Sequence, residues 1–159
     1  MPEELRVREA TGSDAEEIHA LAGQLASAVG DSHPTLEGVS ARLRELLDEP
    51  RARLLVAEDE AVVGVVSLWI KPDLAHGDTV VEVPMLVVAE DHRRAGVGKL
   101  LMEEVRNVAS DNDASQIELA ATRANVTARE FYRSLGFVET DVVSLEFVGS
   151  QEDPPDPEE

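Results

Sequence analysis

Apolar residues recur with a helical period in two stretches of the first third of the chain, 18–29 and 36–47. Side chains three and four positions apart share one face of a helix, so each stretch predicts an amphipathic helix. A short strand is predicted at 5–7. Residues 11–13, followed by Glu16, have the pattern of a capping box that opens the first helix.

Three runs rich in Val, Leu and Ile follow at 53–58, 61–70 and 79–88. Such composition favours β-strands, and the Asp59-Glu60 pair between the first two runs predicts an antiparallel hairpin. Pro84 removes a backbone donor inside the third run. It therefore predicts a bulge, or a place where strand pairing opens.

The second half of the chain alternates between the two periods. A helix is predicted from Gly96 to about 110–113, a strand at 117–121, a helix at 125–135 ended by Gly136, and last strand material at 138–148. The order is β-α-α-β-β-β-α-β-α-β. It predicts a mixed sheet with helices on its faces.

Composition narrows the classes of function. A length of 159 residues fits one domain, and 14 Lys and Arg against 33 Asp and Glu give a net charge of -19, which disfavours nucleic acid and anionic membranes as partners. The acidic surface favours a cationic acceptor, but an adaptation for solubility or salt explains it equally well. The absence of cysteine excludes disulfides, thiolate metal sites and cysteine nucleophiles.

We expect a cytoplasmic protein that is a monomer or homodimer. No apolar stretch has the length of a membrane helix. The four histidines are His19, His33, His76 and His92. They show no paired helical spacing, so no bound metal is expected. The acidic, Pro-rich tail 149–159 is expected to be disordered.

Two arginines and two glycines lie where the third strand run gives way to a helix, in Arg93-Arg94-Ala95-Gly96-Val97-Gly98. First-turn N–H groups have no helical partner and lie at the positive end of the helix dipole, so they can bind a phosphate. A Walker A loop would need glycine at 93 and Ser or Thr at 100, and a Rossmann loop would need glycine at 101. A tight turn with incidental arginines is the alternative to an anion site.

The pattern Arg/Gln-x-x-Gly-x-Gly/Ala after a Val-rich strand resembles motif A of the GNAT superfamily of acyl-CoA N-acyltransferases. Residues 125–137, NVTAREFYRSLGF, resemble its motif B, Asn-x-x-Ala-x-x-Phe-Tyr-x-x-x-Gly-Phe, at every signature position. The resemblance extends over 5–148. It implies an α/β (α+β) fold in which a mixed, mostly antiparallel twisted sheet is flanked by about four helices, as a single domain at 1–148.

The same resemblance implies an N-acetyltransferase that uses acetyl-CoA as co-substrate, with no metal, and transfers acetyl to a primary amine by direct attack in a ternary complex. The coenzyme pyrophosphate would lie on the motif A turn, with clearance from Gly96 and Gly98, and the pantetheine arm along the third strand. The amide near Val88 would polarise the thioester carbonyl. The positions so implied are Leu86, Val87, Val88, Arg93, Arg94, Ala95, Gly96, Val97, Gly98 and Lys99.

Three side chains carry the remaining implied roles. Asn125 would contact the coenzyme arm, although Asn before a helix is also a typical N-cap. Tyr132, the only tyrosine, would lie against the coenzyme and protonate the departing thiolate, while packing of the helix is the alternative. Glu82 would accept the proton of the amine, directly or through water. A solvated residue on the polar face of a strand is its alternative.

The chain departs from the family at Arg94 and Ala95, where glycine and a basic residue are frequent, and 138–148 is short for the usual terminal hairpin. In the family, the acceptor is recognised mainly by the first two helices and their loop, here 29–36, and by the terminal strands. His33 and Trp69 are candidates for that pocket. A polyamine, an aminoglycoside, an amino acid and a protein amine stay open, as do a non-catalytic acyl-CoA binding or sensing module and a nucleotide-binding or structural domain.

Overall fold

A computed structural model describes residues 4–147 of the chain. The strands are β1 (Arg6–Glu9), β2 (Ala52–Glu58), β3 (Val62–Asp73), β4 (Asp78–Val88) and β5 (Gln116–Leu119). The helices are α1 (Ala15–Val29), α2 (Leu36–Leu47), α3 (Val97–Asp111) and α4 (Val126–Ser134). Short 3-10 turns at Gly12–Asp14 and Glu90–His92 precede α1 and follow β4.

The five strands form one sheet in the order β1-β2-β3-β4-β5. The first four are antiparallel neighbours, whereas β5 runs parallel to β4 and is reached through α3. This arrangement confirms the mixed, mostly antiparallel sheet and the β2–β3 hairpin.

The bulge predicted from Pro84 is present in β4. The register with β3 shifts between Ser67, which pairs with Met85, and Trp69, which pairs with Glu82. Two β4 residues, Val83 and Pro84, therefore lie opposite the single residue Leu68. A proline that cannot donate to the ladder is accommodated at this irregularity.

Residues 62–66 of β3 are buried without alternation, which indicates that both faces of this strand are covered by helices. A Cβ on Gly64 would lie 2.8 Å from a methyl of Val97 and 3.0 Å from one of Leu101, so α3 packs closely on that face. α1, the other helix in extensive contact with β3, covers the opposite face. Within residues 4–147, no helix is both long and apolar enough to span a membrane.

A partly buried ionic cluster joins β1, β2 and the start of α1. The Arg8 guanidinium donates to both carboxylate oxygens of Asp14 at 2.9 Å, and to Glu58 at 3.1 Å. The Asp14 carboxylate also accepts from the Thr11 N–H at 2.8 Å. Asp14, rather than the predicted Glu16, thus supplies the acid of the capping contact, because a 3-10 turn precedes α1 and moves the third helical position to residue 14.

The last predicted strand is not formed at 138–147. Its large apolar side chains are exposed: Val138, Val142, Val143, Leu145 and Phe147. Strand propensity alone forms no strand without a neighbour to pair with, and Glu139 is held instead by Arg129 and Arg133 of α4 at 2.9 and 3.0 Å. The prediction at Val148 and the disorder expected of 149–159 lie outside the described residues.

Candidate active site

β4 continues for five residues beyond the end of β5. Leu119, the last residue of β5, pairs with Val83, and no other strand of 4–147 runs beside residues 84–88 on that side. Backbone groups of 84–88 that point away from β3 are therefore left for another partner. Leu86, Val87 and Val88, where the family resemblance implies the pantetheine arm, all lie in this open stretch.

Two side-chain hydrogen bonds hold the first half of the turn from β4 to α3. The side-chain carbonyl of Gln24 on α1 accepts from the Glu90 N–H at 2.9 Å. The Arg93 side chain folds back over β4, and its Nε donates to the Val88 carbonyl at 3.4 Å. Ala95 is exposed beside Arg93 and Arg94. The predicted anion site is consequently an exposed cationic turn at the end of the open stretch.

Two residues of this turn have left-handed backbone conformation, Arg94 with φ 67° and Gly96 with φ 85°. Nothing lies within 4 Å of the position that a Cβ on Gly96 would take, so its backbone, not crowding, favours glycine there. The Arg94 conformation gives a physical reason why glycine is frequent at this position in the family.

The first turn of α3 points its amides out of the helix. The N–H groups of Val97, Gly98 and Lys99 precede the first helical hydrogen bond, which runs from the Leu100 N–H to the Gly96 carbonyl at 3.0 Å. Three successive amides at the positive end of a helix dipole suit a phosphate group. The Lys99 side chain is exposed and adds positive charge nearby.

Glu82 lies on the α1 side of the sheet, across from Trp69. Strand alternation puts both on the face opposite Gly64, and the Lys71 Nζ lies 3.5 Å from the Glu82 Oε1. The Glu82 side chain is 45% exposed. The Lys71 contact was not predicted from the sequence. It follows from the β3–β4 register, which depends on a turn at 74–77. The β5 register neighbour of Glu82 is Glu118.

Asn125 and Tyr132 both belong to α4. The Asn125 Oδ1 accepts from the Ala128 N–H at 3.1 Å, so the predicted N-cap is present and the amide nitrogen is the group available to a ligand. The Tyr132 ring packs against those of Phe131 and Phe137, with centroid distances of 5.2 and 5.8 Å. Burial raises the pKa of the phenol above its usual value of 10.0, which favours the protonated form.

α4 and the loop before it lie beside both α1 and α3. At one end, a groove of about 330 Å³ brings α1 beside the loop before α4; its lining is Ala28, Val29, Thr122, Ala124, Asn125, Val126 and Thr127. In the middle of α4, Phe131 approaches Gly98 of α3. Thr122 and Thr127 were missed by sequence analysis, and no local pattern marks them.

The candidate acceptor residues are not brought together. His33 lines a separate groove against α1 with His19 and Ser27, and its Nε2 is 2.9 Å from the Ser27 Oγ. Trp69 lines neither groove. No three His, Cys, Asp or Glu side chains in residues 4–147 are grouped so that they could hold a metal ion.

Residues 17–137 match the sequence model of the Acetyltransferase (GNAT) family. Among solved structures, a possible acetyltransferase from Clostridium difficile 630 has a TM-score of 0.80 at 20% identity, covering 92% of this chain and 99% of that one. A ribosomal-protein-alanine N-acetyltransferase from Brucella melitensis biovar Abortus 2308 has a TM-score of 0.74 at 23% identity, with coverage of 92% and 100%.

An aminoglycoside N-acetyltransferase in complex with CoA is similar as well, with a TM-score of 0.80 at 21% identity and coverage of 92% of this chain and 95% of that chain. At this level of identity, these three similarities show the fold. No curated protein matches the sequence.

Proposed function

Because this chain belongs to the acetyltransferase (GNAT) family, we propose that it is an N-acetyltransferase that transfers acetyl from acetyl-CoA to a primary amine of a small molecule or protein, by direct attack in a ternary complex. The observation that chiefly supports this activity is the path along the open stretch of β4 into the α3 turn. A strand edge with unpaired backbone groups leads directly to three outward-pointing amides.

The residues along this path fit coenzyme A. The first-turn amides of α3 and the positive charges of Arg94 and Lys99 would hold the pyrophosphate. The open backbone of 86–88 would hydrogen-bond the amide-bearing pantetheine arm in the manner of an added strand. Bound acetyl-CoA would supply the acetyl thioester. The Val88 amide would polarise its carbonyl, an effect worth about 3 kcal/mol when the donor is aimed at the developing oxyanion.

Tyr132 is the proposed proton donor to the departing sulfur. Its phenol is protonated at neutral pH, since the usual pKa of 10.0 lies well above 7 and burial raises it further. The Tyr132 ring packs against Phe131 and Phe137, and packing and proton donation are compatible roles. An acid held in position next to a leaving group contributes typically about 10²–10⁴-fold to the rate.

Glu82 is the proposed acceptor of the amine proton, directly or through water. An ammonium has no lone pair, so the amine must lose a proton before it attacks the acyl carbon. The Glu82 carboxylate is half exposed and can reach water, and Lys71 is a cation already next to it. The pairing with Lys71 indicates that this carboxylate can attract a cationic amine as well as accept its proton.

The activity is tested by incubating the protein with acetyl-CoA and a panel of polyamines, aminoglycosides, amino acids and protein extract, with mass spectrometry of the products. We expect amine-dependent thiol release and one acetylated class. Tyr132→Phe should lower kcat by about 100-fold or more with little change in coenzyme affinity.

The role of Glu82 has a matched control, because Glu118 is its exposed neighbour on β5. Glu82→Gln should lower kcat and shift the pH–rate profile, whereas Glu118→Gln should leave both unchanged. Equal profiles for the two variants would contradict the assignment. Calorimetric binding of acetyl-CoA without acetylation of any amine would instead indicate a coenzyme-binding module.

A further inference from the structure

Gly98, the last glycine of the motif A pattern, has no conformational reason to be glycine. It is the second residue of α3, and its φ is outside the left-handed region, in contrast to Gly96. In a helix, alanine is favoured over glycine by intrinsic propensity. The reason for glycine at 98 must therefore lie in what a side chain there would meet.

A Cβ on Gly98 would meet the ring of Phe131 end-on. Its ideal position is 3.0 Å from Cζ, 3.5 Å from Cε1 and 3.6 Å from Cε2 of that ring. The shortest distance is tighter than an ordinary contact between carbon atoms, which is about 3.5–4.0 Å. The missing side chain thus leaves the space into which α4 inserts its phenylalanine. The Cβ direction of Gly98 is therefore toward α4, whereas the corresponding space at Gly96 is open.

Phe131 is directly followed by Tyr132, and the two rings are 5.2 Å apart. Tyr132 is in turn backed by Phe137 at 5.8 Å. A displacement of Phe131 along its ring axis would move the helix backbone or tilt the neighbouring ring. Because the Phe131 and Tyr132 rings pack against each other, such a shift would reach the phenol.

We propose that Gly98 and Phe131 form a helix–helix contact that positions Tyr132, so that Gly98 is a positioning residue for the proton donor rather than a source of clearance for the coenzyme phosphates. The effect on catalysis rests on the proposed function, whereas the Gly98–Phe131 contact is independent of it. The contact sets how deeply α4 docks on the first turn of α3. That depth fixes the phenol relative to the amides of the same turn.

The chain offers a direct probe, because Tyr132 is its only tyrosine. Labelling with fluorotyrosine gives a single fluorine NMR signal from the site. Gly98→Ala should shift this signal in the otherwise native chain and leave it unshifted in a Phe131→Leu background, where the ring tip is absent. Gly12→Ala is the matched control, since nothing lies within 4 Å of a Cβ at that glycine and it should shift nothing.

Two binding and kinetic measurements complete the test. Gly98→Ala should lower kcat by about tenfold, because a misplacement of 1 Å can cost about 100-fold, while the calorimetric Kd for coenzyme A should change less than about twofold. Weakened coenzyme binding with an unmoved Tyr132 signal would overturn the proposal in favour of phosphate clearance. If Gly98→Ala alone does not fold, recovery of folding in the double variant with Phe131→Leu supports the contact, and no recovery refutes it.

The outcomes separate this proposal from the proposed function. A fluorine signal that shifts in Gly98→Ala and not in the double variant, in a protein that acetylates no amine, supports the helix contact and refutes the transferase activity. An active enzyme whose Tyr132 signal and kcat are indifferent to Gly98→Ala refutes the contact and leaves the activity standing.

Discussion

Replacing Asp14 with alanine should destabilise the fold far more than its short side chain suggests. Asp14 is only 3% exposed. Its carboxylate accepts hydrogen bonds from both the Arg8 guanidinium and the Thr11 N–H. Removing it leaves the guanidinium with Glu58 and the Glu9 carbonyl, and leaves the Thr11 amide without its partner. The start of α1 then loses its attachment to β1.

The size of the effect follows from burial. Breaking a buried ion pair by removing one partner costs about 3–5 kcal/mol, because the other charge stays partly desolvated. The Arg8 side chain is 29% exposed and keeps Glu58 at 3.1 Å, so the low end, about 3 kcal/mol, applies here. For a domain of this size, that lowers Tm by about 6–12 °C.

Thermal and urea unfolding of Asp14→Ala measure this loss, with Arg6→Ala as the control. Arg6 also pairs with Glu58, at 3.2 Å, but its side chain is 72% exposed, and such surface pairs contribute about 0–1 kcal/mol. A loss in Asp14→Ala no greater than that of Arg6→Ala would refute the reasoning.

The pH dependence supplies a second check. Hydrogen bonding from Arg8 lowers the pKa of Asp14 below 3.8. The stabilisation is therefore complete above the pKa of the unfolded chain and is lost as pH falls through the lowered value of the folded state. The difference between native protein and Asp14→Ala should narrow in acid, and a gap that widened there would contradict the assignment.

Three further predictions concern the site and its surroundings. Arg94→Gly should be more stable than Arg94→Ala by about 1 kcal/mol in urea unfolding, because alanine retains the strain of positive φ. The phenol of Tyr132 should ionise above pH 10.0 by ultraviolet titration, and its contribution to stability, complete below the pKa of the unfolded chain, should be lost as pH rises through the raised value. Arg129 and Arg133 lower the pKa of Glu139 to about 2, so its carboxyl NMR signal should titrate near there and should move toward 4.5 in Arg129→Ala.

Local patterns were sufficient to predict most of the fold. The apolar periods gave α1, α2 and the β2–β3 hairpin, and the missing donor of Pro84 gave the bulge, because each depends on residues close in sequence. The segment 138–147 could not be predicted in this way. Its valines have the propensity of a strand, but whether a strand forms depends on a pairing partner that no local pattern specifies.

The site divides along the same line. The turn at Arg93–Gly98 and the cap at Asn125 are local, and both were predicted from spacing. The Lys71–Glu82 pair depends on strand register, and the approach of Phe131 to Gly98 depends on how two helices dock. Phosphate clearance at Gly98, implied by the family resemblance, stays a prediction; the motif does not specify its neighbour Phe131, which only the structure shows.

Hydrogen exchange along the open stretch of β4 can report whether a ligand is bound there. Amides of 85–88 that face away from β3 should exchange with deuterated solvent much faster than their neighbours in the β3–β4 ladder. A ligand that binds along this edge would protect them, and the footprint would appear at named residues before any product is known. Acyl donors of different length could then be ranked by protection alone, with the acceptor amine left out of the experiment.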